Sequence, residues 1–177
     1  MLISPIKAIE SGWVTGDISP DSIQPNGIDF RLDRVFMPKL GGNKSFILRE
    51  DSKQSIEYFE TKPYLLETDL GNFEGWRIMP HTGYDFLSNI ELNLPQNVAS
   101  LIIQRSTLNR SSCSITSGLW DSGFKGTIGG QLRNGGQLGA CLEHGVRIGQ
   151  VIFLEAQAAH AYQGQYQSLK EHWSEGK

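Results

Sequence analysis

A succession of short strand-like runs, each cut off by turn residues, constrains this chain more than any other feature. Tyr84 to Leu92, Val98 to Gln104, Thr127 to Arg133, Gly139 to Leu142 and Arg147 to Glu155 read as strands. Pro80, Gly83, Pro95, Asn134-Gly135-Gly136 and His144-Gly145 punctuate them. Upstream, Gly27 to Val35 (GIDFRLDRV) alternates apolar and polar residues, as a half-buried strand does. No long amphipathic helical pattern alternates with these runs, and parallel strands need such crossovers. The expectation is an all-β chain, a distorted β-barrel or jelly-roll-like sandwich with short helices. One such helix is expected over Ile3 to Ser11, before Gly12.

With 177 residues the chain suits one domain spanning 1–177. The polar segment 163–177 reads as an arm, mobile or ordered on another surface. Gly41 to Tyr58 reads as a loop or exposed hairpin, and residues 38–77 carry no readable motif. A net charge of -3 and a pI near 5.8 lack the basic footprint of a protein that binds a nucleic-acid polymer. A single nucleotide needs only a few local cations and stays open. Cys113 and Cys141 have no metal-ligand spacing and read as reduced, small, semi-buried residues. His81, His144, His160 and His172 are too scattered for a metal site. Met1 to Val14 contains Lys7 and Glu10 and no long apolar run, so a cytoplasmic protein with no membrane partner is expected.

Three segments concentrate polar and turn-forming residues. In Gln24-Pro25-Asn26-Gly27-Ile28-Asp29 a turn feeds a strand whose first carboxylate is Asp29. That carboxylate is either solvated at a strand start or part of a site. In Gln104-Arg105-Ser106-Thr107-Leu108-Asn109-Arg110 two arginines bracket two hydroxyls at a strand end. Guanidinium forks and hydroxyls suit a polyanion, and Ser106 equally suits a helix cap. Thr116 to Gly126 (TSGLWDSGFKG) is a dense hairpin signal. Its backbone could read a base edge, an aromatic residue could cover a ring, and Asp121 could act as a base or merely serve the turn.

Together and in this order the segments resemble the trimeric dUTPase and dCTP deaminase superfamily. Asn26 to Phe30 is similar to its first motif, Arg105 to Leu108 to its second and Gly118 to Gly126 to its third. Asp121 then stands at the position of the catalytic aspartate. Gly145-Val146-Arg147-Ile148-Gly149-Gln150 resembles the fourth motif. The first two motifs and Tyr162-Gln163-Gly164-Gln165-Tyr166-Gln167 look closest to the deaminase branch. The resemblance implies a homotrimer whose active sites are shared between subunits.

Deamination in that branch needs a glutamate on the strand after the third motif, and the alignment puts Gln131 there. An amide cannot shuttle protons at neutral pH, and no carboxylate lies nearby in sequence. Relatives with this frame but without the glutamate act as dUTPases. The implied reaction is hydrolysis of dUTP to dUMP and diphosphate by water attack on the α-phosphorus, with Mg²⁺ on the phosphates. Asp121 would hold and deprotonate the water, or fix the sugar 3′-hydroxyl while doing so, and Asp29 would orient a metal-bound water. Arg105, Ser106, Thr107, Gln150 and, across a subunit boundary, Arg110 would bind phosphates. The hairpin from Ser117 and Gly118 through Trp120 to Phe124 would read uracil, beside Gln131 and Tyr162. Phe124 replaces the tyrosine usual beneath the deoxyribose, Gln165 replaces a phosphate-binding lysine, and the glycine-rich C-terminal dUTPase motif is absent. The alternatives are a mono- or bifunctional dCTP deaminase, a pyrophosphatase for another deoxynucleotide, and a non-catalytic nucleotide sensor.

Overall fold

A computed structural model describes residues 1–39, 58–164 and 167. The elements in chain order are β1 (Leu2–Ile3), α1 (Pro5–Glu10), β2 (Val14–Gly16), a 3-10 turn (Pro20–Ser22), β3 (Ile23–Gln24), β4 (Gly27–Pro38) and β5 (Tyr58–Thr61). Then come β6 (Tyr64–Thr68), β7 (Gly71–Ile78), β8 (Gly83–Asn93), β9 (Val98–Gln104) and α2 (Ser106–Arg110). The chain continues through β10 (Cys113–Thr116), β11 (Lys125–Asn134), β12 (Ala140–Glu143) and β13 (Arg147–Glu155).

The main sheet runs β1-β13-β4-β8-β11-β10, with β9 beside β13, β2 beside β8, and β3 and β5 beside β4. The long strand β4 curls it. Residues 28–31 ladder with β13, whereas residues 32–36 ladder with β8 after a register shift at Leu32/Arg34. One strand thus serves two halves of the sheet, as a bulge permits by bending the chain. Inward positions close a single core: Ile28, Phe30 and Leu32 of β4 meet Phe86, Ile128, Leu132, Val151 and Phe153. Phe30 and Phe86 stack with centroids 6.2 Å apart. Each such side chain contributes about 1.5–3 kcal/mol by leaving water. A smaller sheet, β12-β7-β6, packs Trp76 and Ile78 against this core.

The all-β expectation holds, and β9 and β13 keep their expected bounds. The N-terminal helix is shorter than expected, because Leu2 and Ile3 pair with Leu154 and Phe153 instead. Residues 58–78, which carry no readable motif, form β5, β6 and β7. In β7 the first four positions are mostly exposed, so no alternating apolar pattern marks the strand. The stretch Gly41 to Tyr58 lies outside the described residues except for Tyr58, which opens β5. Among the described residues no helix is long and apolar enough to cross a membrane.

Candidate active site

The turn Pro25-Asn26 closes the hairpin between β3 and β4, where Gln24 pairs with Gly27. Gly27 is needed at this point. A Cβ there would lie 2.5 Å from the Val151 carbonyl oxygen and 2.7 Å from Gln150 Cγ. With no side chain at 27, Gln150 lies over the turn and reaches Asp29, its partner in the β4–β13 ladder.

Asp29 is 5% exposed and fully paired. Arg105 Nη1 donates to Oδ2 at 2.7 Å, and Gln150 Nε2 donates to Oδ1 at 3.3 Å. Arg147 Nη1 stands 3.6 Å from the same Oδ2. Arg147 was not among the residues expected at the site. It also donates to the Asp21 carbonyl at 3.0 Å and lies 3.4 Å from the Asp21 carboxylate. The Ser19 hydroxyl, first, and then the charge of Arg147 hold the Asp21 carboxyl below its ordinary range. Arg105 precedes α2 as its cap residue, so Ser106 opens the helix rather than capping it. Ser106, Thr107 and Arg110 are exposed around it, while Leu108 anchors the helix in the core. This cluster presents guanidinium, amide and hydroxyl donors to one side, as an anion-binding surface requires.

The cluster does not suit a directly held magnesium ion. Asp29 spends both oxygens on N–H donors beside two guanidiniums. Among the described residues no three of His, Cys, Asp and Glu gather as a metal site. Each Asp29 oxygen accepts one of these bonds and keeps a second lone pair, so the expected role in orienting a metal-bound water stays a proposal.

Asp121 lies elsewhere. Trp120 bridges to Ser100, three residues along β9 from Ile103, which faces Gln150. Three strand pairings, Trp120 with Ser100, β9 with β13 and β13 with β4, separate the Asp121 turn from Asp29. Asp121 is exposed and lines an open cavity of about 570 Å³ with Ala99, Leu119, Ser122, His160 and Tyr162. Trp120 and Phe124 are 8% and 5% exposed and belong to the core. Phe124 lies between Trp120 and Tyr162, with ring centroids at 6.5 and 5.6 Å. Its ring is covered here, not open to a sugar.

The C-terminal segment supplies that cover. Tyr162 N donates to the Ser122 carbonyl at 2.8 Å. The Gln167 amide donates to the Gly123 carbonyl at 2.9 Å and accepts from Lys125 N at 3.0 Å. Part of the expected arm is therefore docked on the hairpin, and Gln165 and Tyr166 lie outside the described residues. Ser117 and Gly118 are exposed at the hairpin, with the Ser117 hydroxyl donating to the Gly118 carbonyl.

Gln131 is exposed on β11 and faces Thr116 on one side and Asp85 on the other. A carboxylate thus stands across the ladder, where sequence neighbours offered none. Asp85 is already engaged by the Tyr58 hydroxyl. Burial and then the Asp85 charge push Tyr58 up to about 12.

Residues 6–156 match the family described as dCTP deaminase-like. The chain belongs to that family. It is 38% identical over 150 residues to a probable deoxyuridine 5'-triphosphate nucleotidohydrolase from Methanopyrus kandleri, covering 85% of this chain and 90% of that one. A protein of the same name from Methanothermobacter thermautotrophicus is 31% identical over 147 residues, covering 82% and 87%. The fold is similar to that of a 2'-deoxycytidine 5'-triphosphate deaminase from Agrobacterium tumefaciens, with a TM-score of 0.57 at 15% identity. That match covers 86% of this chain and 47% of the deaminase chain, about half its length.

Proposed function

We infer that this chain is a dUTP diphosphatase, releasing dUMP and diphosphate. The observation that carries the reading is the 38% identity, over most of both chains, with a probable deoxyuridine triphosphate nucleotidohydrolase. The amide of Gln131 supports hydrolysis over deamination, because it can neither take up nor return a proton. Asp85 across the ladder is held by Tyr58 rather than free to replace it.

In the proposed mechanism Asp121 holds a water and removes its proton as the oxygen attacks the α-phosphorus. The bond from that phosphorus to the α,β-bridging oxygen breaks, and diphosphate leaves. Arg105 and Gln150, aimed by Asp29, bind phosphate oxygens with Ser106, Thr107 and Arg110. Positioning and charge neutralisation supply most of the rate. Backbone groups at Ser117 and Gly118 read uracil, Trp120 and Phe124 stiffen the hairpin beneath it, and Tyr162 closes over it. Magnesium arrives as part of the substrate, on the triphosphate, keeping its own waters.

The three strand pairings between the Asp121 turn and Asp29 in one chain support a site completed by a second chain. A second copy in a homotrimer would bring its hairpin to the phosphate cluster. The exposed side chains of Leu101, Ile103 and Leu119, beside that cluster and the Asp121 turn, support a face covered by another copy. The enzyme would work among free nucleotides in the cytoplasm.

The test is product analysis with Mg²⁺ and either dUTP or dCTP. The reading expects dUMP and diphosphate from dUTP and unchanged dCTP. Ammonia released from dCTP overturns it in favour of a deaminase.

A further inference from the structure

An alternating row of charges runs through the phosphate-side cluster: Asp21, Arg147, Asp29, Arg105. Its members differ in burial. The Asp29 side chain is 6% exposed, whereas Arg147 is 30%, Arg105 35% and Asp21 61% exposed. The inner carboxylate is locked in place, and both arginines can move.

In the free enzyme one N–H donor of Arg105, on Nη1, is engaged on Asp29 at 2.7 Å. Turning the whole fork onto a phosphate would draw that donor off Asp29 and leave the buried carboxylate with the neutral Gln150 amide, at 3.3 Å, as its remaining hydrogen bond. Removing one partner of a buried pair is strongly unfavourable. Arg147 stands 3.6 Å from the same oxygen, held at Asp21 by the backbone carbonyl at 3.0 Å and by the exposed carboxylate at 3.4 Å. An exposed pair of this kind is weak and easily given up.

We propose that Arg147 is a positioning residue for phosphate binding, the reserve counter-charge that takes over Asp29 when Arg105 turns to the triphosphate. Asp21 is the parking place of Arg147, and its own carboxylate is fixed by the Ser19 hydroxyl at 2.5 Å. The inference deepens the phosphate half of the proposed dUTP site and rests on that reading for its biological substrate.

The experiment measures binding of magnesium inorganic triphosphate by calorimetry to the full-length protein and four variants, each shown by circular dichroism to be folded at the assay temperature. Arg147→Met should weaken binding about tenfold, and Arg147→Lys, which keeps the charge, should recover most of the loss. Arg105→Met should also weaken binding. In that background Arg147→Met should change affinity by less than about twofold, because Arg147 acts only by freeing Arg105. Additive losses would mean that Arg147 touches phosphate itself, and an unchanged Arg147→Met would mean that it does nothing; either overturns the proposal.

Asp21→Asn is the second arm, and it remains available if an arginine variant fails to fold. Loosening the parking place should tighten triphosphate binding, by about two- to threefold for a weak exposed pair. A merely structural role for this turn predicts weaker binding, and that result overturns the proposal. Wild-type turnover of dUTP is assayed separately. Inert dUTP with an intact binding cycle defeats only the substrate assignment, whereas dUTP turnover with additive variants defeats only the role of Arg147.

Discussion

The phosphate-side cluster and the Asp121 hairpin are built in opposite ways. Around Asp29 the carboxylate is buried and both its oxygens are hydrogen-bonded, and Asp21, Arg105, Arg147 and Gln150 gather about it within one chain. Around Asp121 the carboxylate is exposed at the lip of a cavity, and the nearby aromatic rings are turned into the core. The first is assembled before any ligand arrives. In the second, a carboxylate and the Ser117–Gly118 segment stand open to solvent. In the proposed reading a second copy brings the two halves together.

Substitution should separate the two regions cleanly. Asp121→Asn should lower kcat by about 10²- to 10⁴-fold, the usual worth of a positioned general base. Its melting temperature should match the wild type, since the side chain is exposed. Asp29→Ala should lower both activity and stability, because it strands Arg105 and Arg147 beside each other. Breaking such a buried pair typically costs about 3–5 kcal/mol, read by denaturant unfolding. Equal stability losses in the two variants would erase the distinction between the regions.

A smaller effect is expected at the stem of the hairpin, where Asp85 faces Gln131. The Tyr58 hydroxyl is pushed up from 10.0 to about 12 by burial and by Asp85. A raised value in the folded state favours the protonated phenol. Its contribution to stability is complete below pH 10 and is lost as pH rises towards 12. Tyr58→Phe should flatten stability against pH in that window, and an unchanged slope would detach Tyr58 from Asp85.

Much of this was legible in the residues. Turn-bounded runs marked the strands of the main sheet, and Asp29, Arg105 and Gln150 stood out by motif before the fold joined them. Arg147 did not stand out, for a geometric reason. Residues three apart on a regular strand point to opposite faces, which would put Arg147 behind the sheet if Gln150 were in front. A register shift between Arg147 and Gly149 inserts an extra residue and turns both towards Asp29. Asp85 was hidden likewise, since its neighbour Gln131 is fixed by ladder register and not by sequence distance. Phe124 stands where the resemblance puts a ring beneath the sugar, but it is buried and in contact with Tyr162, a contact set by where the C-terminal segment lies.

The most direct measurement mixes two crippled enzymes. Asp121→Asn and Arg105→Met should each be inactive, for defects in different halves of the site. Unfolded together in equal amounts and refolded, random trimers should regain about a quarter of wild-type activity, the share of sites drawing an intact half from each parent. Mixed trimers that form and stay inactive would place both halves in one chain and contradict the shared site.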